Sequence, residues 1–281
     1  VKEAGEPVEY VLAKRLAEAG HQLDAEAIRD PLVLAKLKNR LGVTLLSLGH
    51  PKEAIVFLSE ARDILTREHG ADNAVTLLCA NSLATAYNDS GENNRAVALY
   101  ETTHAAIKAK YGPAHRHSLL CLQNLATGYK DAGEIDKAIP LYEEAYPLME
   151  TKLGPGHADT LLCLYNLATS YDSVGDMEAA IPLFKKGHKL SESHLGANHP
   201  HTLLFQSSLA NVQVVESLNL GAGPANGPGD IGPMQVALKL MQKTVGRDHP
   251  MTLTSMNSVA LAHHVAGESE QAVPLVEETV K

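Results

Sequence analysis

The sequence contains no tryptophan, and aromatic residues make up only 4% of its 281 residues. Hydrophobic residues of all kinds nevertheless reach 44%. A core with this composition has to be built from leucine, alanine, valine and isoleucine packed closely together, and leucine and alanine are strong helix formers. The composition therefore indicates an all-α protein.

Positive charge is also scarce. The chain has 24 lysines and arginines against 33 acidic residues, a net charge of -9, and the basic residues form no cluster. Nucleic-acid binding requires clustered lysine and arginine, so a nucleic-acid partner is excluded. No apolar run approaches the roughly 18 residues that cross a bilayer, and nothing resembles a signal peptide. We expect a cytoplasmic protein with no membrane partner.

Cysteine is rare, and its three occurrences follow a pattern. Cys79, Cys121 and Cys163 are separated by a constant interval of 42 residues. Equivalent positions of successive structural units lie further apart than the ~7 Å between Cα atoms that a disulfide permits. We expect buried, reduced thiols that contribute to packing, which is consistent with a reducing compartment.

The same 42-residue interval organises the whole chain. The segment LCLQNLATGYKDAGEIDKAIPLY is followed by LCLYNLATSYDSVGDMEAAIPLF, with Leu125 opposite Leu167. The interval continues upstream to Leu83 and downstream to Leu209, and after a slip of 8 residues it reaches Val259. A repeat of this length predicts a solenoid, in which each unit contacts only its neighbours.

Each unit is predicted to contain two antiparallel helices joined by a glycine turn. Residues 1–30 should form a degenerate N-terminal capping unit, and residues 31–281 the array. The expected repeats are 31–72, 73–114, 115–156, 157–198, 199–248 and a truncated 249–281. Because the chain starts without methionine and ends within a helical pattern, it reads as a piece of a longer protein, although processing would have the same result.

Proline and glycine mark two irregularities. Pro140, Pro182 and Pro274 recur at one position inside the second helices, where we expect a kink. The Gly/Pro-rich segment from Leu220 to Pro233 interrupts the fifth unit and contains the slip. Its Gly-x-Gly spacing does not indicate a phosphate loop, because no strand precedes it.

The residues Leu125, Ala126, Tyr129, Ala138 and Tyr142 resemble the signature of the tetratricopeptide repeat. The 42-residue period, the GxxHxxTL linker and the NLA segment are similar to the kinesin light chain variety, which also occurs in nephrocystin-like proteins and in arrays attached to bacterial serine/threonine kinases. This resemblance implies an α-solenoid of about six repeats, wound as a right-handed superhelix. It also implies that the first helices line a concave groove for an extended peptide or a partner helix.

In such repeats an asparagine just before the leucine often binds ligand backbone, and Asn124 and Asn166 occupy that place. Lys130 is too isolated to clamp a carboxylate, so we expect a neutral or basic peptide held by backbone hydrogen bonds. A merely solvated helix face is the alternative. The predicted groove residues are Asn81, Thr85, Asn88, Asn124, Thr127, Lys130, Asp131, Asn166, Thr169, Asp172 and Asn211.

Candidates for chemistry obey the repeat period. His115, His157, His199 and His249 recur once per unit before the first helix, a spacing that cannot form one tetrahedral metal site, so capping or loop hydrogen bonding is expected. No nucleophile with a base and no carboxylate pair departs from the repeat pattern. We expect no catalytic residue, metal or cofactor, and an interaction scaffold. The alternatives are a docking or sensing region of a larger enzyme, such as a bacterial serine/threonine kinase, and a catalytic solenoid.

Overall fold

A computed structural model describes residues 8–22, 28–219, 231–247, 249–265 and 267–279. Every regular element in these ranges is a helix, as the composition predicts. The chain divides into two compact units, the first unit of residues 1–141 and the second unit of residues 142–281. Among the described residues, no helix combines the length and the apolar character required to cross a membrane.

The helices alternate between first and second members of a pair. Helix α1 (Val8–His21) precedes the pairs. The first helices are α2 (Pro31–Ser47), α4 (Ala74–Asp89), α6 (Arg116–Asp131), α8 (Ala158–Ser173), α10 (Pro200–Asn219) and α12 (Pro250–Val265). The second helices are α3 (Pro51–His69), α5 (Asn93–Tyr111), α7 (Ile135–Leu153), α9 (Met177–Leu195), α11 (Gly232–Thr244) and α13 (Ser269–Thr279).

Glycines end the first helices where the sequence predicts them. Gly49, Gly91, Gly133, Gly175 and Gly267 have φ between 78° and 82°, a left-handed conformation that only glycine adopts without strain. The fifth repeat has Ser217 at this position, and α10 continues past it to Asn219. The predicted Gly/Pro interruption falls mostly on residues 220–230, outside the described part of the chain.

The first helices begin at a side chain that caps their free N–H groups. Asp30 and Asn73 cap α2 and α4 through a side-chain oxygen. His115 and His157 cap α6 and α8 through ring Nδ1. The prediction that the loop histidines serve as caps is therefore confirmed.

The core repeats with the same period. One position of the second helix holds a completely buried alanine in the first four repeats, Ala54, Ala96, Ala138 and Ala180, and a larger side chain there would overpack the helices. Another position of the second helix is at most 3% exposed in five repeats, where it holds Leu58, Tyr100, Tyr142, Phe184 and Met234. Its sixth member, Val276, is 47% exposed.

The cysteines belong to this core. Cys79, Cys121 and Cys163 are buried and form no disulfide. The Cys79 thiol donates to the Leu58 carbonyl at 3.5 Å. Burial raises the pKa of each thiol to about 12, so all three are protonated and unreactive at neutral pH. Pro182 and Pro274 lie within continuous helices, and the kink expected at these prolines stays a prediction.

Candidate functional site

In each unit the predicted binding residues lie on the first helices, and we call these residues the polar face. The residues Asn81, Thr85, Asn88, Asn124, Thr127, Lys130 and Asp131 belong to the first unit, and Asn166, Thr169, Asp172 and Asn211 to the second. All seven residues in the first unit are half-buried or exposed. In the second unit Asn166 and Asn211 are only 8% exposed, and the Asn211 side-chain oxygen is buried with no hydrogen-bond partner among the described residues.

In the first unit, part of the polar face joins neighbouring helices. Asn88 on α4 donates from Nδ2 to Asp131 Oδ2 on α6 at 2.7 Å. The Tyr100 hydroxyl on α5 donates to the Thr85 hydroxyl at 2.9 Å, and Thr85 donates to the backbone carbonyl of Asn81 at 3.2 Å. These bonds fix the spacing and orientation of the first helices, so Thr85 and Asn88 have structural roles.

The end of the polar face in the first unit is acidic. Loss of solvation and the nearby Asp131 carboxylate raise the pKa of Asp89. Burial lowers the pKa of the half-buried Lys130, and Asp131 partly opposes that effect. Asp131 thus acts on both Asp89 and Lys130, and the two neighbouring carboxylates favour an additional cation.

A further row of side chains lies two residues before the repeated leucine, and we call it the amide position. In the first unit it holds Asn39, Asn81 and Gln123. The side-chain carbonyl oxygen of each is buried and accepts no hydrogen bond from any described residue. A buried acceptor without a donor costs about 1–3 kcal/mol. These oxygens therefore keep an acceptor capacity that an N–H or O–H group from water or from a ligand would satisfy.

Gln123 was missed among the predicted residues. It is 4% exposed and one methylene longer than Asn81, which occupies the same position one repeat earlier. Its repeat register was the signal that could have identified it. The prediction concentrated on the residue that follows, Asn124, which is half-buried.

The second unit fills the amide position differently. Tyr165 and Ser208 place their hydroxyl oxygens 3.1 Å apart, and Ser255 donates to Ser207 at 3.2 Å. The Tyr165 ring packs edge-on against Phe205, with centroids 5.4 Å apart. These polar groups find their partners within the chain and hold adjacent first helices together.

Burial and pairing limit what the site can do chemically. Burial raises the pKa of Asp172, but among the described residues no hydrogen bond joins its carboxyl to a nucleophile or a base. The same part of the chain contains no group of three histidine, cysteine or acidic side chains placed to hold a metal ion. The geometry of the polar face is suited to hydrogen bonding and to charge recognition.

A sequence model of the family described as Tetratricopeptide repeat matches residues 33–109, 77–151 and 118–193. A second model, described as Tetratrico peptide repeat, matches residues 162–266. The comparison with curated proteins gives no match.

Solved structures share the fold. A kinesin light chain-like protein of Podosopora anserina with nearly identical TPR-like repeats is 25% identical, covers 73% of this chain and 93% of its own, and has a TM-score of 0.52. BtubC (BKLC) from P. vanneervenii is 15% identical over 98% of this chain and 91% of its own, with a TM-score of 0.56. A Rap protein complexed with Competence and Sporulation Factor is 12% identical over 96% and 70%, with a TM-score of 0.70. The matched repeats span more than half of the sequence, so the chain belongs to the tetratricopeptide repeat family, and its 42-residue units are of the kinesin light chain-like type.

Proposed function

We propose that this array is a protein-interaction scaffold whose polar face binds an extended peptide or a partner helix. The observation that supports the proposal most strongly is the row of unpaired amide oxygens at Asn39, Asn81 and Gln123. An extended peptide presents backbone N–H groups along its length, which are the donors that such a row requires. Binding would remove the cost of leaving these oxygens unpaired.

The charge of the polar face favours a neutral or basic partner. Asp89 and Asp131 lie near each other at its end in the first unit, with Lys130 as the nearby cation. A partner with a lysine or arginine at this point would relieve the repulsion between the carboxylates, and an acidic partner would increase it. The Rap protein whose fold resembles this one is solved with a partner bound, which is consistent with a binding role.

A peptide-display library selected on the whole chain tests the proposal. Selected peptides should be extended and neutral or rich in lysine and arginine. The double variant Asn81→Ala/Asn124→Ala should bind them about tenfold more weakly, since each lost hydrogen bond contributes about 0.5–1.5 kcal/mol.

Asn94→Ala is the matched control, because Asn94 is an exposed asparagine on the second helix α5. Its affinity should equal that of the original chain. Selection of acidic peptides, or unchanged binding by the double variant, would show that the polar face is not the binding surface.

A further inference from the structure

Four of the six first helices start at a histidine that acts as a hydrogen-bond acceptor. The ring Nδ1 of His115, His157, His199 and His249 accepts the backbone N–H two residues later, at 3.2 Å in every case. Helices α2 and α4 use Asp30 and Asn73 instead, with bonds of 2.9 Å. One position in the repeat therefore carries two kinds of cap, and only one kind changes its hydrogen-bonding character near neutral pH.

Accepting this bond requires an unprotonated Nδ1. A neutral imidazole has one donor nitrogen and one acceptor nitrogen, but the protonated ring has two donors and no acceptor. Protonation would remove the cap and would also place a positive charge at the positive end of the helix dipole. Asparagine keeps its acceptor oxygen at any pH between about 4 and 9.

The groups around each cap are not the same. The His115 ring stacks on Tyr111 with centroids 4.6 Å apart and lies 5.1 Å from the His117 ring, close to Arg116. The His199 ring stacks on His201 at 5.5 Å. Because each of these caps has a further imidazole beside it, a second positive charge would be unfavourable there.

The other two caps have acidic or less direct surroundings. Asp159 places a carboxylate oxygen 3.6 Å from His157 Nδ1, and a protonated ring would gain an ion pair in exchange for the lost cap. Asp159 also acts on His201 across the pair of first helices. Arg247, two residues before His249, forms an ion pair with Glu278 on α13. The cap at His157 should therefore respond least to acid.

We propose that the four histidine caps make this array acid-sensitive, so that mild acidification releases the starts of α6, α8, α10 and α12 while those of α2 and α4 stay capped. The first helices carry the polar face, so their starts are coupled to the same elements that display it. The proposal does not depend on what the polar face binds.

The partner histidines act in the same direction. Burial and the neighbouring His115 and Arg116 lower the pKa of His117, and burial and His199 lower the pKa of His201. A base with a lowered pKa in the folded state stabilises the fold above its unfolded pKa, and that stability is lost as the pH falls through the folded pKa. The experiment must therefore compare proteins that both keep His117 and His201, so that the contribution of these two residues is the same in each.

The test compares the whole chain with the variant His115→Asn/His157→Asn/His199→Asn/His249→Asn. Asparagine already caps α4 at this repeat position, so the substitution copies a solution that the chain uses itself. Between about pH 7.5 and about pH 5.5, the original chain should lose clearly more thermal stability than the variant. An equal loss in both proteins would overturn the proposal. If the fourfold variant does not fold, His115→Asn/His199→Asn replaces it, with about half the effect expected.

Hydrogen exchange supplies a comparison within one molecule. At about pH 5.5, and after correction for the intrinsic rate, amides in the first turns of α6 and α10 should lose about fivefold in protection, the ratio expected for one lost cap. The first turns of α2 and α4 should keep theirs. Uniform loss across all first helices, or retained protection at α6 and α10, would overturn the proposal.

Discussion

The two compact units occupy the amide position in opposite ways. The first unit has Asn81 and Gln123 there, with carbonyl oxygens that no described residue satisfies. The second unit has Tyr165 and Ser207, and both hydroxyls bond to serines on the next first helix. The same repeat position therefore provides unused acceptors in one unit and helix-to-helix contacts in the other. Under the proposed function the acceptors of the first unit would serve a partner, whereas the equivalent groups of the second unit hold its own helices together.

The caps divide the units in a related way. His115 is the single histidine among the three caps of the first unit, whereas all three caps of the second unit are histidines. Acid should therefore loosen the second unit more than the first. Two copies of one repeat can thus differ in function and in response without any change of fold.

The largest effect is expected at Gly187 in the second unit. At this position the other second helices carry Ala61, Thr103 or Ala145, but Gly187 lies against Phe205, where an added Cβ would come within 2.0 Å of the ring. Gly187→Ala should lower the free energy of unfolding by about 1–3 kcal/mol, measured by chemical denaturation.

Phe205 provides the control. The three preceding repeats have cysteine at the position of Phe205: Cys79, Cys121 and Cys163. The double variant Gly187→Ala/Phe205→Cys restores the residue types found one repeat earlier at Ala145 on α7 and Cys163 on α8, and it should recover most of the stability lost in Gly187→Ala. Additive losses in the double variant would mean that the glycine is required for another reason.

Substitutions at the amide position should have opposite signs in the two units. Tyr165→Phe removes the hydroxyl bonded to Ser208 and should destabilise the chain by about 1 kcal/mol. Gln123→Leu removes a buried acceptor without a partner and should stabilise it by a similar amount. Thermal and chemical unfolding measure both effects.

Peptide affinity separates the same two variants. Gln123→Leu should weaken binding of the selected peptides, while Tyr165→Phe should leave it unchanged. If Gln123→Leu is destabilising, its oxygen is satisfied by water or by a partner within the chain, and the contrast between the units is lost.

Much of the fold follows from the period of the sequence. The interval from Leu125 to Leu167 predicts paired helices, and Gly133 and Gly175 mark turns that the structure confirms. The helix starts at His115 and His157 were also predictable, because a cap must recur wherever a helix start recurs. These features depend on local backbone geometry, which the period repeats.

The differences between units were less predictable. In the sequence Gly187 is one more small residue, and only the structure shows Phe205 packed against it. Tyr165 likewise appears only to replace an asparagine, and the structure shows that it bonds to Ser208. Such pairs join residues about half a repeat or a full repeat apart, so one helix alone does not reveal them. The burial of Asn166 has the same origin, since packing between helices determines it.

The smallest expected effect distinguishes the acidic groups of the two units. The pKa of Asp89 in the first unit is raised by lost solvation and by Asp131, and the pKa of Asp172 in the second unit is raised by burial. A carboxyl whose pKa is higher in the folded state stabilises the fold as the pH falls through that value. Asp89→Asn and Asp172→Asn should therefore both raise the melting temperature slightly at neutral pH, and the gain should vanish near about pH 4.

Salt separates the two causes. About 1 M sodium chloride screens the repulsion between Asp89 and Asp131 but does not restore solvation to Asp172. The gain from Asp89→Asn should therefore shrink in salt, while the gain from Asp172→Asn should persist. If salt reduces both gains equally, then Asp131 does not act on Asp89, and the acidic end of the polar face would no longer provide a reason to expect a basic partner at the first unit.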